Sequence, residues 1–274
     1  MTDLVVVTGA AGKTGRAVTA ALSRRGVAVR AVVHRPEQAR DGVPGATESV
    51  AADFGDPGAL AAAIEGADAL YLIAPNMHPD EPAIARGVIR ACTDAGVRRL
   101  VYHSVIHPYA PAMPHHVDKA RAEALLHESG LDWVILQPAS YFENAYGVWD
   151  SVRDDGIWPL PYSEQAPFTP VALADVAEVA ASALTEPRHR FATYELAGPE
   201  LLTTAEMAEI AGEVLDLDIT VRVDRSAEAA ARPPRLQAMF DYYEAHGICG
   251  NPIVLAALLA RPATTWRDWV ASHR

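Results

Sequence analysis

LVVVTGAAGKTGRAV, Leu4 to Val18, joins a β-branched run to an amphipathic, Ala-rich run through three glycines, Gly9, Gly12 and Gly15. Hydrophobic β-branched residues favour a strand, and the run after the glycines carries helical periodicity. Glycines at such a strand-to-helix turn allow a tight bend and let the backbone approach a pyrophosphate, whose charge the NH groups of the helix N-terminus can hold. The spacing is GxxGxxG. The GK[ST] ending of an ATP-binding P-loop, four residues after a first glycine, is missing. Gly9, Ala11, Gly12, Lys13, Thr14 and Gly15 are therefore read as a dinucleotide loop, the alternative being glycines that only shape the turn.

The alternation continues outward from this loop. VAVRAVV (Val27 to Val33), ALYLIA (Ala69 to Ala74), RLVYHSV (Arg99 to Val105) and DWVILQP (Asp132 to Pro138) read as strands, and TESVAADF, ending at Phe54, as a shorter one. Their nearly unbroken apolar character suits a parallel sheet covered on both faces. Between them AVTAALSRRG, ALAAAIEG, IARGVIRACTDAG and ARAEALLHESG read as helices that stop at Gly26, Gly66, Gly96 and Gly130. The fold class is α/β, a doubly wound parallel sheet of the Rossmann kind. Regularity breaks after Pro138: residues 139 to 170 are rich in Pro and aromatics, either a cap over a ligand cleft or a packed loop. The last segment, from about Ser226, reads as mostly helical. The expected division is a dinucleotide-binding domain over 1–138, with 171–198 returning to it, and a smaller, mostly helical C-terminal subdomain for substrate or partner over 139–170 and 199–274.

Composition excludes several classes. With 23 basic and 35 acidic residues the net charge is −12, which repels a nucleic-acid backbone in the absence of a basic patch. Cys92 and Cys249, both in stretches that read as helical, have no metal-ligand spacing, which suits a reducing, cytoplasmic setting. The chain enters a strand within a few residues without the features of a signal peptide. Its longest apolar run, IVLAALLA from Ile253, is too short to span a bilayer.

The second strand ends in VVHRP, so His34 and Arg35 stand where an NAD-preferring site carries a carboxylate. Arg35 suits bidentate contact with a 2′-phosphate, and Lys13 could add a second positive charge. NADP(H) is expected in preference to NAD(H). Asp53 and Phe54, after the third strand, are placed to meet the adenine.

Taken together, TGAAGKTG, VVHRPEQA, ADFGDP, YHSV, HHVDKARAEALLHESGLDWVILQPASYFENA, TPVALADVAEVAASAL, YELAGPELLT and GNPIVLAALLARPATTWRDWV resemble the NmrA-like family of atypical short-chain dehydrogenases/reductases, over almost the whole chain. The resemblance implies NAD(P) binding by a Rossmann domain, with members divided between reductases and proteins that sense the nucleotide. In typical short-chain dehydrogenases a serine ends the fifth strand and a Tyr-x-x-x-Lys helix follows. Here Ser104 and Lys119 match, while His115 occupies the tyrosine position, which puts standard alcohol–ketone chemistry in doubt. Pro114 suits a first helical turn, and His115 and Lys119, four apart, share one face. Lys119 would hold the nicotinamide ribose. His115 would assist protonation or be an ordinary helix-surface residue, and Ser104 would bond substrate or simply finish the strand.

Ligands bind beyond the carboxyl ends of strands in such sheets. That nominates Ile73, Ala74, Pro75 and Asn76, then Pro138, Ser140, Tyr141, Phe142 and Asn144, with His107 and Trp149 nearby. Tyr141 is the alternative proton donor, or else a packing wall. The aromatic character suggests a flat, apolar substrate such as a quinone, an enone or a polyketide-like ring. His103, His107, His115 and His116 lack the spacing of a zinc site, and no metal is expected. No GxSxG elbow marks a hydrolase. The leading expectation is an NADPH-dependent oxidoreductase acting on an apolar acceptor. The alternatives are a redox sensor that binds NADP(H) and a protein partner, or a non-redox isomerase or dehydratase. No membrane partner is expected, and a homodimer is left open.

Overall fold

A computed structural model describes residues 3–224 and 232–274. The elements β1 (Leu4–Val7), α1 (Lys13–Arg24), β2 (Ala28–Val33), α2 (Pro36–Asp41), β3 (Glu48–Ala51), α3 (Pro57–Ile64), β4 (Ala69–Leu72), α4 (Glu81–Asp94), β5 (Arg99–His103), α5 (Pro114–His127) and β6 (Asp132–Pro138) alternate along the first half. After a 3-10 turn at Phe142–Gly147 come α6 (Trp149–Asp155), β7 (Ile157–Leu160), α7 (Leu173–Thr185), β8 (Ala192–Leu196), α8 (Thr204–Leu215), β9 (Thr220–Val223), α9 (Pro234–His246), α10 (Ile253–Leu259) and α11 (Trp266–Ala271).

Seven strands form one parallel sheet in the order β3-β2-β1-β4-β5-β6-β8. The chain reverses its winding between β1 and β4, the switch point at which doubly wound sheets bind ligands. Val5, Val6 and Val7 are all fully buried because both faces are covered. One face packs under α1 and α7 through residues such as Leu22, Val176 and Leu184, and the other under α3, α4 and α5 through Ile64, Val88 and Leu126. Asp56 and Asp80 start α3 and α4 by accepting hydrogen bonds from first-turn amides. Pro114 opens α5 at its first helical position.

A second lobe contains the two-stranded parallel sheet β7-β9 and helices α6, α8 and α11. Its core is aromatic. Trp266 stacks on Trp269 with ring centres 4.9 Å apart, and Phe142 sits 5.2 Å from Trp266. Trp149 packs edge-on to Trp269 and donates its indole N–H to the His273 carbonyl. Phe142 and Trp149, nominated as cleft residues, are buried here instead, because an aromatic-rich excursion hides more apolar area inside its own lobe than against a solvated cleft. Cys249 lies in the loop after α9, not in a helix, with its thiol on the Pro167 carbonyl. Ser226, where the helical C-terminal run was expected to begin, lies outside the described residues. From Pro234 onward that run is α9, α10 and α11. Among the described residues no helix is long and apolar enough to cross a membrane.

Candidate functional site

A cleft of about 720 Å³ opens at the carboxyl end of the sheet over the β1–β4 switch point, lined by Gly9, Ala11, Gly12, His34, Asp53, Phe54, Ile73 and Pro75 among others. Gly9 adopts φ +59°, the left-handed conformation that an L side chain resists. Gly15 is required by contact: a Cβ there would stand 2.5 Å from both Ala10 Cα and Gly9 O. α1 begins at Lys13 with Gly12 as its N-cap, so its first-turn amides have no intrahelical acceptor. A tight glycine turn packed directly on a helix start with free-ended amides fits a pyrophosphate. Thr8 fixes the floor: its hydroxyl accepts from the Ile73 amide at 2.8 Å and donates to the Ile73 carbonyl at 3.1 Å.

At the β2 end, His34 Nδ1 lies 3.1 Å from Asp53, which also accepts from the Gly55 amide. Arg35 caps α2 and is exposed. Among the described residues no carboxylate pairs with it. Lys13 is turned away, toward the segment after β6. Its ammonium donates to Asn144 Oδ1 at 2.5 Å and stands 5.5 Å from the Tyr141 ring centre. The expected second charge for a 2′-phosphate is therefore not beside Arg35, because the ammonium is engaged by the Asn144 oxygen and the Tyr141 ring face.

The fifth strand and α5 divide the remaining candidates. Ser104 is buried, with its hydroxyl bonded to Glu123, which also accepts from Gln137 at 2.9 Å. Its hydroxyl is thus committed to a buried carboxylate behind the strand and does not face the cleft. Lys119 Nζ donates to Glu81 at 2.7 Å and lies 3.3 Å from the His103 carbonyl. Glu81 also accepts from the Tyr102 hydroxyl at 2.6 Å. An ammonium has three donors, so one remains for a ligand. His115 is buried at the start of α5, edge-on to His116, and its Nδ1 has no partner among the described residues. Burial, aided by the charges of His116, Lys119 and Arg235, pushes its pKa down to about 3. The imidazolium form, the better acid, is therefore absent at neutral pH. His116 donates from Nδ1 to the His107 carbonyl at 3.1 Å, so His107 enters the network through its backbone. Asn76 is exposed in the loop after β4, next to Ala74 and Pro75.

Tyr141, just beyond β6 and Pro138, reaches His103 Nε2 at 2.7 Å, and His103 Nδ1 reaches the Tyr71 hydroxyl at 2.5 Å. Sequence reasoning missed Tyr71, Glu81 and Arg235. Glu81 reads as an ordinary acidic residue in a first helical turn, and Tyr71 as one more apolar strand residue. Arg235, whose guanidinium bonds Asp118 at 2.7 Å and the His78 carbonyl, comes from a distant segment. Among the described residues no three His, Cys, Asp or Glu side chains could together hold a metal ion.

This sheet, switch-point cleft and glycine cradle define a Rossmann-type dinucleotide-binding protein. A family model described as NAD(P)H-binding matches residues 9–187; the chain belongs to that family, as an atypical short-chain dehydrogenase/reductase. It is 32% identical, over 98% of each chain, to the (4-alkanoyl-5-oxo-2,5-dihydrofuran-3-yl)methyl phosphate reductase of Streptomyces griseus. It is 25% identical, again over 98% of each, to the NAD(P)H azoreductase of Xenophilus azovorans. Its structure matches the NADPH-dependent quinone oxidoreductase of Escherichia coli complexed with NADPH, with a TM-score of 0.83 and 25% identity over 98% of this chain and 99% of the other. The chain is an NAD(P)H-dependent oxidoreductase by class.

Proposed function

We propose that the protein reduces an apolar, conjugated acceptor, such as a quinone, an enone or an unsaturated lactone, at the expense of NADPH. The observation that carries this reading is the glycine cradle at the switch point, in a chain that matches reductases from end to end. The acceptors named for those relatives are an oxo-dihydrofuran phosphate ester, azo compounds and quinones. All offer an electron-poor π-system that can take a hydride, and a flat ring suits a cleft whose lining includes the apolar Phe54, Ile73, Pro75 and Ile84.

When bound, the reduced nicotinamide supplies the hydride. The chain's own residues do the rest. Gly9, Gly12 and the first turn of α1 hold the pyrophosphate, Asp53 and Phe54 border the adenine, and Arg35 takes the 2′-phosphate. Ile73, Ala74, Pro75 and Pro138 bound the nicotinamide end, and the third donor of Lys119 meets the ribose. Ser104 and His115 are left without the proton-donor role, the first because its hydroxyl is committed to Glu123 and the second because it is neutral.

The test is NADPH oxidation by the purified protein with menadione, other quinones, enones and simple ketones, with Lys119→Met alongside. Saturable turnover that favours conjugated acceptors over simple ketones is the expected result, and the lysine variant should raise KM for NADPH. Tight NADPH binding without turnover of any acceptor would sink the reductase reading in favour of nucleotide sensing.

A further inference from the structure

Three rings are joined in series at the carboxyl end of the sheet. The Tyr71 hydroxyl meets His103 Nδ1 at 2.5 Å and the Tyr141 hydroxyl meets His103 Nε2 at 2.7 Å. Tyr71 is fully buried on β4 and His103 nearly so at the end of β5. Tyr141 is partly exposed, with the Lys13 ammonium of the glycine loop over its ring.

The direction of both hydrogen bonds follows from what each group can do. A neutral imidazole donates from one nitrogen and accepts at the other. Among the described residues the Tyr71 hydroxyl has a single partner, His103 Nδ1. If Nδ1 carried the hydrogen, the Tyr71 hydrogen would be buried without an acceptor, which costs about 1–3 kcal/mol. Tyr71 therefore donates, Nδ1 accepts, and the ring hydrogen sits on Nε2. Burial and the Lys119 charge push His103 down to about 3, so a second ring hydrogen is absent at neutral pH. His103 Nε2–H thus donates to the Tyr141 oxygen, and the hydrogen of Tyr141 is not used by His103.

We infer that His103, locked by Tyr71, is a positioning residue that turns the Tyr141 hydroxyl hydrogen toward the cleft and makes Tyr141 the proton donor of the reduction. This rests on the reductase reading. The acceptor gains a hydride, with its electron pair, from reduced nicotinamide, which is thereby oxidised. The Tyr141 O–H bond breaks and its proton goes to the other end of the acceptor's conjugated system. The phenolate left behind keeps the Nε2–H bond and faces the Lys13 ammonium until a solvent proton restores it. His103 and Lys13 would so serve a tyrosine reached from β6, in a chain whose α5 carries His115 where typical members carry the tyrosine.

Nitrogen-15 NMR of the histidine-labelled protein, with His103→Gln to assign the signal, reads the tautomer without any turnover. Protonated Nε2 with bare Nδ1 is expected at about pH 7, and the opposite tautomer would overturn the inference. Steady-state kinetics with menadione give the second arm. Tyr141→Phe should lower kcat roughly a hundredfold or more, with the Kd for NADPH nearly unchanged and the unfolding midpoint lowered only by the loss of the His103 bond. His103→Leu should lower kcat roughly tenfold. His103→Gln, whose amide N–H can stand in for Nε2–H, should recover most of that loss. A Tyr141→Phe protein with full kcat would remove Tyr141 as donor and leave the reductase reading intact. A wild-type protein inactive on every acceptor would remove the reductase reading, and the tautomer would still decide the direction of the hydrogen bonds.

Discussion

Arg35 and Lys13 show how a single position sorts cofactor chemistry. Both are cations that the sequence offers to a 2′-phosphate, yet Lys13 is spent on Asn144 and the Tyr141 ring, whereas Arg35, after β2, stands exposed beside the cleft-lining His34 and Gln38. Only Arg35 is left for a phosphate on the adenosine ribose, and a guanidinium–phosphate contact contributes roughly 1.5–3 kcal/mol. Arg35→Ser is therefore expected to weaken NADPH binding about ten- to a hundredfold and to leave NADH binding nearly unchanged, measured by titration calorimetry with each nucleotide. Equal losses for both would place the 2′-phosphate elsewhere. Gly15 is constrained differently, by the 2.5 Å approach to Ala10 and Gly9. Its role is to let α1 pack against the loop, and any side chain there must push the cradle open.

Between elements, the buried pair Glu81–Lys119 ties the start of α4 to α5, and the Tyr102 hydroxyl brings β5 into the same contact. Glu81 and Lys119 keep only 4% and 18% of their side-chain surface, so removing one partner strands a desolvated charge. Glu81→Gln should cost about 3–5 kcal/mol, and the double variant Glu81→Leu with Lys119→Met should regain most of it. Urea unfolding of the three proteins checks this; a double variant as unstable as the single one would mean that packing, not charge, dominates. This pair also marks where sequence reading stops. The strands and helices of the first half and the glycine loop were legible because hydrophobic period and turn residues are local signals. His103 was visible only as one of four nearby histidines, and its hydroxyl partners come from β4 and from beyond β6. Likewise the aromatics after Pro138 were legible as a cluster, but whether they face a cleft or one another depends on Trp266 and Trp269, more than a hundred residues later.

At the scale of the whole molecule, α9 from the C-terminal part of the chain lies on α5, held by Arg235 on Asp118 and on the carbonyls of His78 and Pro79. With the sheet beneath, this helps bury His115 and His116, and His103 is buried at the carboxyl end of β5, between β4 and β6. Burial is the first cause in each case: His103 and His115 are pushed down to about 3 and His116 to about 4. The sign follows. Above about pH 6.5 all three are neutral in folded and unfolded chains, so they contribute nothing to pH dependence. Below it the unfolded chain binds protons that the folded chain refuses, and stability falls by up to roughly 1.4 kcal/mol per pH unit for each histidine. His189, also lowered by burial, acts in the same direction. His103, His115 and His116 together give a slope of up to roughly 4 kcal/mol per pH unit between about pH 6 and pH 5, where most carboxylates are still ionised. Guanidinium unfolding is therefore expected to show a steep loss of stability from about pH 7 to pH 5. His115→Leu, which removes an unpartnered buried nitrogen, should stabilise the protein more at pH 5 than at pH 7, by about 2 kcal/mol. A stability flat across this range, or a variant with the same effect at both values, would mean that these histidines bind protons readily in the folded state and that α9 does not seal them.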